Sequence, residues 1–176
     1  MNRLFNLVLA AALLLSLAGC AVYSVPHDER SVGTIVDDSV IVSDIKADLV
    51  GMDGSDGLAT KVYSFGGRVY LVGEPSVSFR DKAVRAARQV KGVRSVTPHW
   101  FAPGTGRTMD DTVVATRVRT NLIAEKALSS TQIELEVYGG HVVLMGMVRA
   151  AADVDRAVRV TRATQGVRGV SSYLIP

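Results

Sequence analysis

The sequence predicts an α+β protein: two tandem copies of one small module, each ordered α-β-β-α-β, with a three-stranded sheet covered by two helices. Three observations predict it. First, the chain repeats itself: Asp37-Asp38-Ser39-Val40 returns as Asp110-Asp111-Thr112-Val113, and the stretch from Tyr63 to Gly73 returns from Glu136 to Gly146, at a spacing of 73 residues. One inserted residue then shifts the spacing to 74, so that Ala83-Val84-Arg85 matches Ala157-Val158-Arg159 and Gly92-Val93-Arg94 matches Gly166-Val167-Arg168. Second, each copy opens with apolar residues four apart. Third, each copy carries two apolar runs joined by Gly-Gly. The copies cover residues 37–98 and 110–176, joined by residues 99–109.

The Asp pair is expected to open the first helix of each copy, where carboxylates meet free backbone N–H groups and the positive end of the dipole. Ile41, Ile45 and Leu49 mark its buried stripe in copy one; Val114, Val118 and Leu122 do so in copy two. A polar loop follows, then a strand, Gly-Gly and a second strand. Two glycines between apolar strands predict a tight primed turn, which needs positive φ at both central residues. The second helix is expected over about 78–90 and 151–164, ending at Gly92 or Gly166 in the left-handed conformation. Val93 to Thr97 and Val167 to Ile175 read as the third strand.

The N-terminus carries a different signal. Met1-Asn2-Arg3 is a short basic head, Leu4 to Leu17 is almost wholly apolar, and Ala18-Gly19 are small. That order is a secretory leader, and its apolar run is too short to span a bilayer. Leu17-Ala18-Gly19-Cys20 resembles the lipobox of bacterial lipoproteins. The resemblance implies cleavage after residue 19, acylation of Cys20, a tether over residues 20–36 and, with Ala rather than Asp at position 21, release to the outer membrane facing the periplasm. Cys20 is the only cysteine, so it forms no internal disulfide. Residues 21–36 have a flexible reach of roughly 20–25 Å.

Without residues 1–19 the 176-residue chain keeps 157, and the loss of Arg3 leaves 19 Lys+Arg against 17 Asp+Glu. That balance argues against a nucleic-acid binder, which would concentrate its basic residues. His27, His99 and His141 stand apart from any nucleophile or metal-ligand spacing and read as surface histidines. Asp53-Gly54-Ser55-Asp56-Gly57 faintly suggests a calcium loop, but the twelfth position is Ser64 rather than a bidentate Glu, and a flexible loop explains it better. No nucleophile elbow, zinc-helix or phosphate-loop pattern occurs. The expectation is a chain with no enzymatic activity, cofactor or metal.

The helix opening at a polar pair, the hairpin ending Tyr70-Leu71-Val72-Gly73 or Val143-Leu144-Met145-Gly146, and the closing Gly-Val are similar to the BON domain, named for bacterial OsmY and nodulation proteins. Two such copies behind a lipobox resemble the dual-BON outer-membrane lipoproteins, which support envelope integrity; residues 30–38 and 142–148 lie close to family segments. The resemblance implies binding of anionic phospholipid, phosphatidylglycerol or cardiolipin, through the first helix of the second copy. Carried over by position, the contacts are Val113, Thr116, Arg117, Arg119, Thr120, Asn121 and Ala124. Valine replaces the tryptophan that a well-known member carries at position 113.

Charge supports the choice of copy. Asp44 and Asp48 of copy one become Arg117 and Asn121 in copy two, a swing of three charges, while Lys46 matches Arg119. An alternative from another class is a periplasmic interaction or chaperone-like module acting with the outer-membrane assembly complex. Trp100, Phe101, Tyr63 and Tyr70 would supply its exposed surface, unless Trp100-Phe101 is instead a wedge between the copies. The second helices, with Arg80, Arg85, Arg88 and Arg156, Arg159, Arg162, are rival basic faces.

Overall fold

The computed structural model describes residues 32–106, 108–126, 128 and 132–176. The leader, Cys20 and His27 lie outside the described residues. The elements are α1 (Val32–Met52), α2 (Gly54–Ala59), β1 (Thr60–Phe65), β2 (Arg68–Gly73), α3 (Val77–Gln89) and β3 (Ser95–Trp100), then α4 (Met109–Ala124), β4 (Ile133–Tyr138), β5 (His141–Met147), α5 (Ala151–Arg162) and β6 (Gly169–Ile175). Each module has one three-stranded sheet, β1-β2-β3 or β4-β5-β6. The hairpin pair is antiparallel, with Tyr63 opposite Tyr70 and Glu136 opposite Val143. The third strand returns through a helix to pair in parallel with the second.

Two expectations change. Helix α1 begins at Val32, so the Asp pair of copy one lies inside it rather than at its start, and residues assigned to the tether are helical. The polar loop of copy one contains α2, capped by the Asp53 side chain, which accepts from the Asp56 amide at 3.0 Å. Asp56 in turn accepts from the backbone N–H of Ser76 at 2.8 Å and from its hydroxyl, tying α2 to the start of α3. The carboxylates that suggested calcium are therefore occupied as helix cap and loop tie.

The predicted stripes are buried: Ile41, Ile45 and Leu49 pack with Val69, Leu71, Phe79 and Ala83, and Val114, Val118 and Leu122 pack with Val142, Leu144 and Ala157. Alternate residues of β2 and β5 point to the other side of their sheets. There Phe65, Tyr70 and Val72 meet Tyr138, Val143 and Met145 in a third apolar cluster. The two sheets thus pack back to back, and the molecule is layered helices, sheet, sheet, helices. Strands β2 and β5 are covered on both faces, which explains why they read as unbroken apolar runs.

The interface has an internal two-fold character. Tyr63 and Glu136 are 73 apart, and the Tyr63 hydroxyl donates to Glu136 Oε1. His99 and Tyr173 are 74 apart, and His99 Nδ1 lies 2.9 Å from the Tyr173 hydroxyl. Repeat-equivalent residues therefore meet across the joint. Phe101 stacks on Tyr138 with ring centroids 4.5 Å apart, and Tyr70 lies against Tyr173 at 5.8 Å. Of the aromatic residues that the interaction-module alternative would expose, Tyr63, Tyr70 and Phe101 are packed in this joint; Phe101 is part of a wedge between the copies, while Trp100 packs against the core of the first module instead.

His99 is accordingly no surface histidine. Burial, with a smaller effect from His141, pushes its pKa below the usual 6.5. The unfolded chain then takes up the proton first as pH falls below about 6.5, whereas the folded joint resists it. Stability is complete above that pH and declines below it, levelling once the folded histidine is also protonated. Urea unfolding between pH 7.5 and 5.5 is expected to show this decline, and His99→Phe, which keeps the ring packing, to reduce it. Tyr63→Phe is expected to lower stability by about 1.5–3 kcal/mol, the range for a hydrogen bond to a charged group.

Candidate functional site

The outward face of α4 begins with how the helix is held. Thr108 is its N-cap; the Thr108 hydroxyl accepts from the Asp111 amide at 3.2 Å, and the Asp111 carboxylate accepts from the Thr108 amide at 3.1 Å. The same carboxylate accepts from Gly139 N–H at 2.9 Å and Gly140 N–H at 2.7 Å. These are the central residues of the β4–β5 turn, with φ of 55° and 79°, a primed turn that glycine adopts without strain. In the first module Asp38 accepts from Gly66 N–H at 2.7 Å, Gly67 N–H at 2.9 Å and the Ser64 hydroxyl at 2.6 Å. The second acid of each pair is a clasp between helix and hairpin. Burial alone would raise the Asp111 pKa, but the amides of Thr108, Gly140 and Gly139 and the Thr108 hydroxyl outweigh it and hold the carboxyl below its ordinary range.

With Val114, Val118 and Leu122 inward, the opposite side of α4 faces water. Val113 is 45% exposed, and Thr116, Arg117, Thr120 and Ala124 are exposed around it. Met109 (82% exposed) and Ile123 (65%) extend the same stripe at both ends. Ile123 stands on this face already in the sequence, whereas Met109 falls in the expected linker; its place four residues before Val113 was the available signal. Arg117 has no ion-pair partner among the described residues.

Two of the seven candidate contacts are engaged elsewhere. Arg119 pairs with Glu134 at 3.5 Å, an exposed pair of small energetic weight. Asn121 Nδ2 donates to the Thr164 hydroxyl at 2.9 Å, tying α4 to the end of α5. Val113, Thr116, Arg117, Thr120 and Ala124 remain together on the outward face.

The equivalent face of α1 carries Val36, Val40, Ser43, Ala47 and Val50, each 73 residues before its counterpart. Val36 and Val40 are 55% and 54% exposed. The apolar pattern is thus shared, and the charge is not. Exposed Asp44 and Asp48 border α1, and Lys46 turns inward, where Nζ donates to the carbonyls of Gly57 and Thr60, both at 2.6 Å. Burial, then Lys61, lowers the Lys46 pKa. Lys46 therefore does not reproduce the exposed charge of Arg119.

The rival basic helices differ in kind. Arg80 donates to the Phe101 carbonyl at 2.6 Å, and Arg156 pairs with Glu125 at 3.8 Å. Arg85, Arg88, Arg159 and Arg162 are exposed, but they recur in equivalent positions of both modules, and Val77 is the one large exposed apolar residue on α3 or α5. His141 is exposed on β5. Among the described residues no group of three or more His, Cys, Asp or Glu is placed to hold a metal ion, and no helix is long and apolar enough to cross a membrane.

Residues 37–99 and 110–175 match the BON domain. The chain belongs to the BON-domain family. It is similar to osmotically-inducible protein Y of Escherichia coli (strain K12), 31% identical over 151 residues covering 82% of this chain and 75% of that protein. It is also similar to the 21 kDa hemolysin of Actinobacillus pleuropneumoniae, 28% identical over 82% of this chain and 77% of that one. Among solved structures, the C-terminal domain of CdsD, a structural protein of the Type III secretion system of Chlamydia trachomatis, aligns at a TM-score of 0.33 and 12% identity over 79% of this chain and 67% of that chain. In this BON pair the clasp sets the angle at which α4 leaves the hairpin. Asp111→Ala removes a charged acceptor from several backbone donors and is expected to lower stability by about 3 kcal/mol, read as a fall in the urea midpoint with unchanged slope.

Proposed function

We propose that this protein is a non-enzymatic, lipid-anchored envelope protein that docks its second BON domain on anionic phospholipid through α4. Cys20, acylated, moors the chain to the periplasmic side of the outer membrane, in the manner of the division- and outer-membrane-stress-associated lipid-binding protein (DolP). Membership of the BON family, with which phospholipid binding is associated, supports this reading. The observation that carries it is the contrast between equivalent helices. Both present an exposed apolar stripe, but Asp44 and Asp48 border it in the first module and Arg117, without an ion-pair partner among the described residues, does in the second.

Magnitudes fit a weak, reversible dock. A basic side chain near an anionic leaflet contributes about 1 kcal/mol, and an exposed apolar stripe adds burial at the interface. The anchor replaces bulk encounter with an effective concentration of millimolar order. Because the helix layers lie on opposite outer sides of the back-to-back sheets, α1 faces away from a surface that α4 meets. The interaction-module alternative loses its surface, since Tyr63, Tyr70 and Phe101 are consumed in the joint.

The mature chain with Cys20→Ser is expected to sediment with phosphatidylglycerol or cardiolipin vesicles and not with phosphatidylcholine vesicles. Arg117→Glu should abolish this, and Ile123→Asp should weaken it. Equal sedimentation of wild type and Arg117→Glu would overturn the assignment to α4.

A further inference from the structure

Each module has a cleft where the start of its first helix, its Gly-Gly turn and the loop after its second helix converge. The volumes are about 520 Å³ in the first module and 570 Å³ in the second. Their linings are repeat-equivalent, and their charges are not. In the first, Asp37, Asp38 and Asp44 stand against Lys91 and Arg94. In the second, Asp110 and Asp111 stand against Arg117 and Arg168. Acids outnumber bases in the first cleft and only balance them in the second, where an arginine replaces an acid on the first helix.

Arg168 is placed by the fold rather than left loose. Its backbone N–H donates to the Gly140 carbonyl at 2.8 Å. A Cβ at Gly140 would stand 3.0 Å from Arg168 Cγ, so the bare glycine lets the arginine stem cross the turn. Val113 and Arg117 line this cleft and also belong to the outward stripe of α4. The cleft therefore opens at the edge of the stripe.

We propose that the cleft of the second module is the headgroup subsite: it takes the phosphodiester of an anionic phospholipid between Arg117 and Arg168, with the Gln165 amide beside them. A planar guanidinium offers paired donors that match phosphate oxygens, and two on separate elements fix the group's position rather than only attracting it. The apolar stripe then rests at the glycerol level beside the bound headgroup. This rests on the reading of α4 as the lipid-facing helix and adds residues from the α5–β6 loop, far from α4 in sequence. Asp110 and Asp111 oppose the ligand and limit affinity.

The test uses the mature chain with Cys20→Ser and phosphatidylglycerol vesicles. Arg168→Gln is expected to weaken sedimentation about fivefold, the factor that about 1 kcal/mol for one basic side chain gives. Arg168→Lys should retain most binding, Asp110→Asn should strengthen it, and Arg94→Gln, the same change in the first module, should leave it unaltered. Monomeric dihexanoyl-phosphatidylglycerol should shift the amide signals of Gly139, Gly140 and Gly166, and inorganic phosphate should shift them far less. Full binding by Arg168→Gln alongside lost binding by Arg117→Glu would overturn the subsite while sparing the helix. Inorganic phosphate matching the short-chain lipid would overturn the headgroup assignment. Wild type that ignores the vesicles would remove the lipid reading itself.

Discussion

Two carboxylates, Asp38 and Asp111, hold each module together at the point where everything else is measured from. Each reaches from the first helix to the N–H groups of a glycine turn 28 and 29 residues further on. A tight primed turn directs its amides outward and leaves them short of acceptors, and a buried carboxylate needs donors. Each group answers the other's deficit. The clasp fixes the helix over the hairpin, and with it the direction in which the remaining helix faces point.

Once that geometry is set, the sheets can only bury their second face against each other. The joint joins like to like: the same surface of both modules, with Tyr63 beside Glu136 and His99 beside Tyr173 at equivalent positions. Two copies of Glu136 in this arrangement would set carboxylates together, and two copies of Tyr173 would leave each hydroxyl without its histidine partner. Divergence at these positions favours pairing of unlike modules over pairing of like ones.

Much of this was legible beforehand. The four-residue stripes, the turn and the α-β-β-α-β order follow from local periodicity and from glycine's access to positive φ, and both are written in consecutive residues. What escaped reading was set by contacts distant in sequence. An Asp pair before an apolar stripe signals a helix cap, and nothing local shows that the second acid reaches a turn. Lys46 aligns with Arg119, yet its surroundings include α2, whose carbonyls draw the ammonium inward. Asn121 lies among exposed residues on the helix wheel but is tied to Thr164 on a different element. The burial of Tyr70 is signalled by continuity rather than alternation: an unbroken apolar run such as Val69 to Val72 indicates a strand covered on both sides.

The back-to-back joint also bears on any dissection of the chain. A module expressed alone would carry Phe65, Tyr70 and Val72, or Tyr138, Val143 and Met145, as a wet aromatic and aliphatic patch. Such a fragment would seek cover from membranes, from other proteins or from itself, whatever its outer helix does. Adhesion measured on an isolated half would then report the orphaned inner surface, and only the intact pair keeps that surface silent.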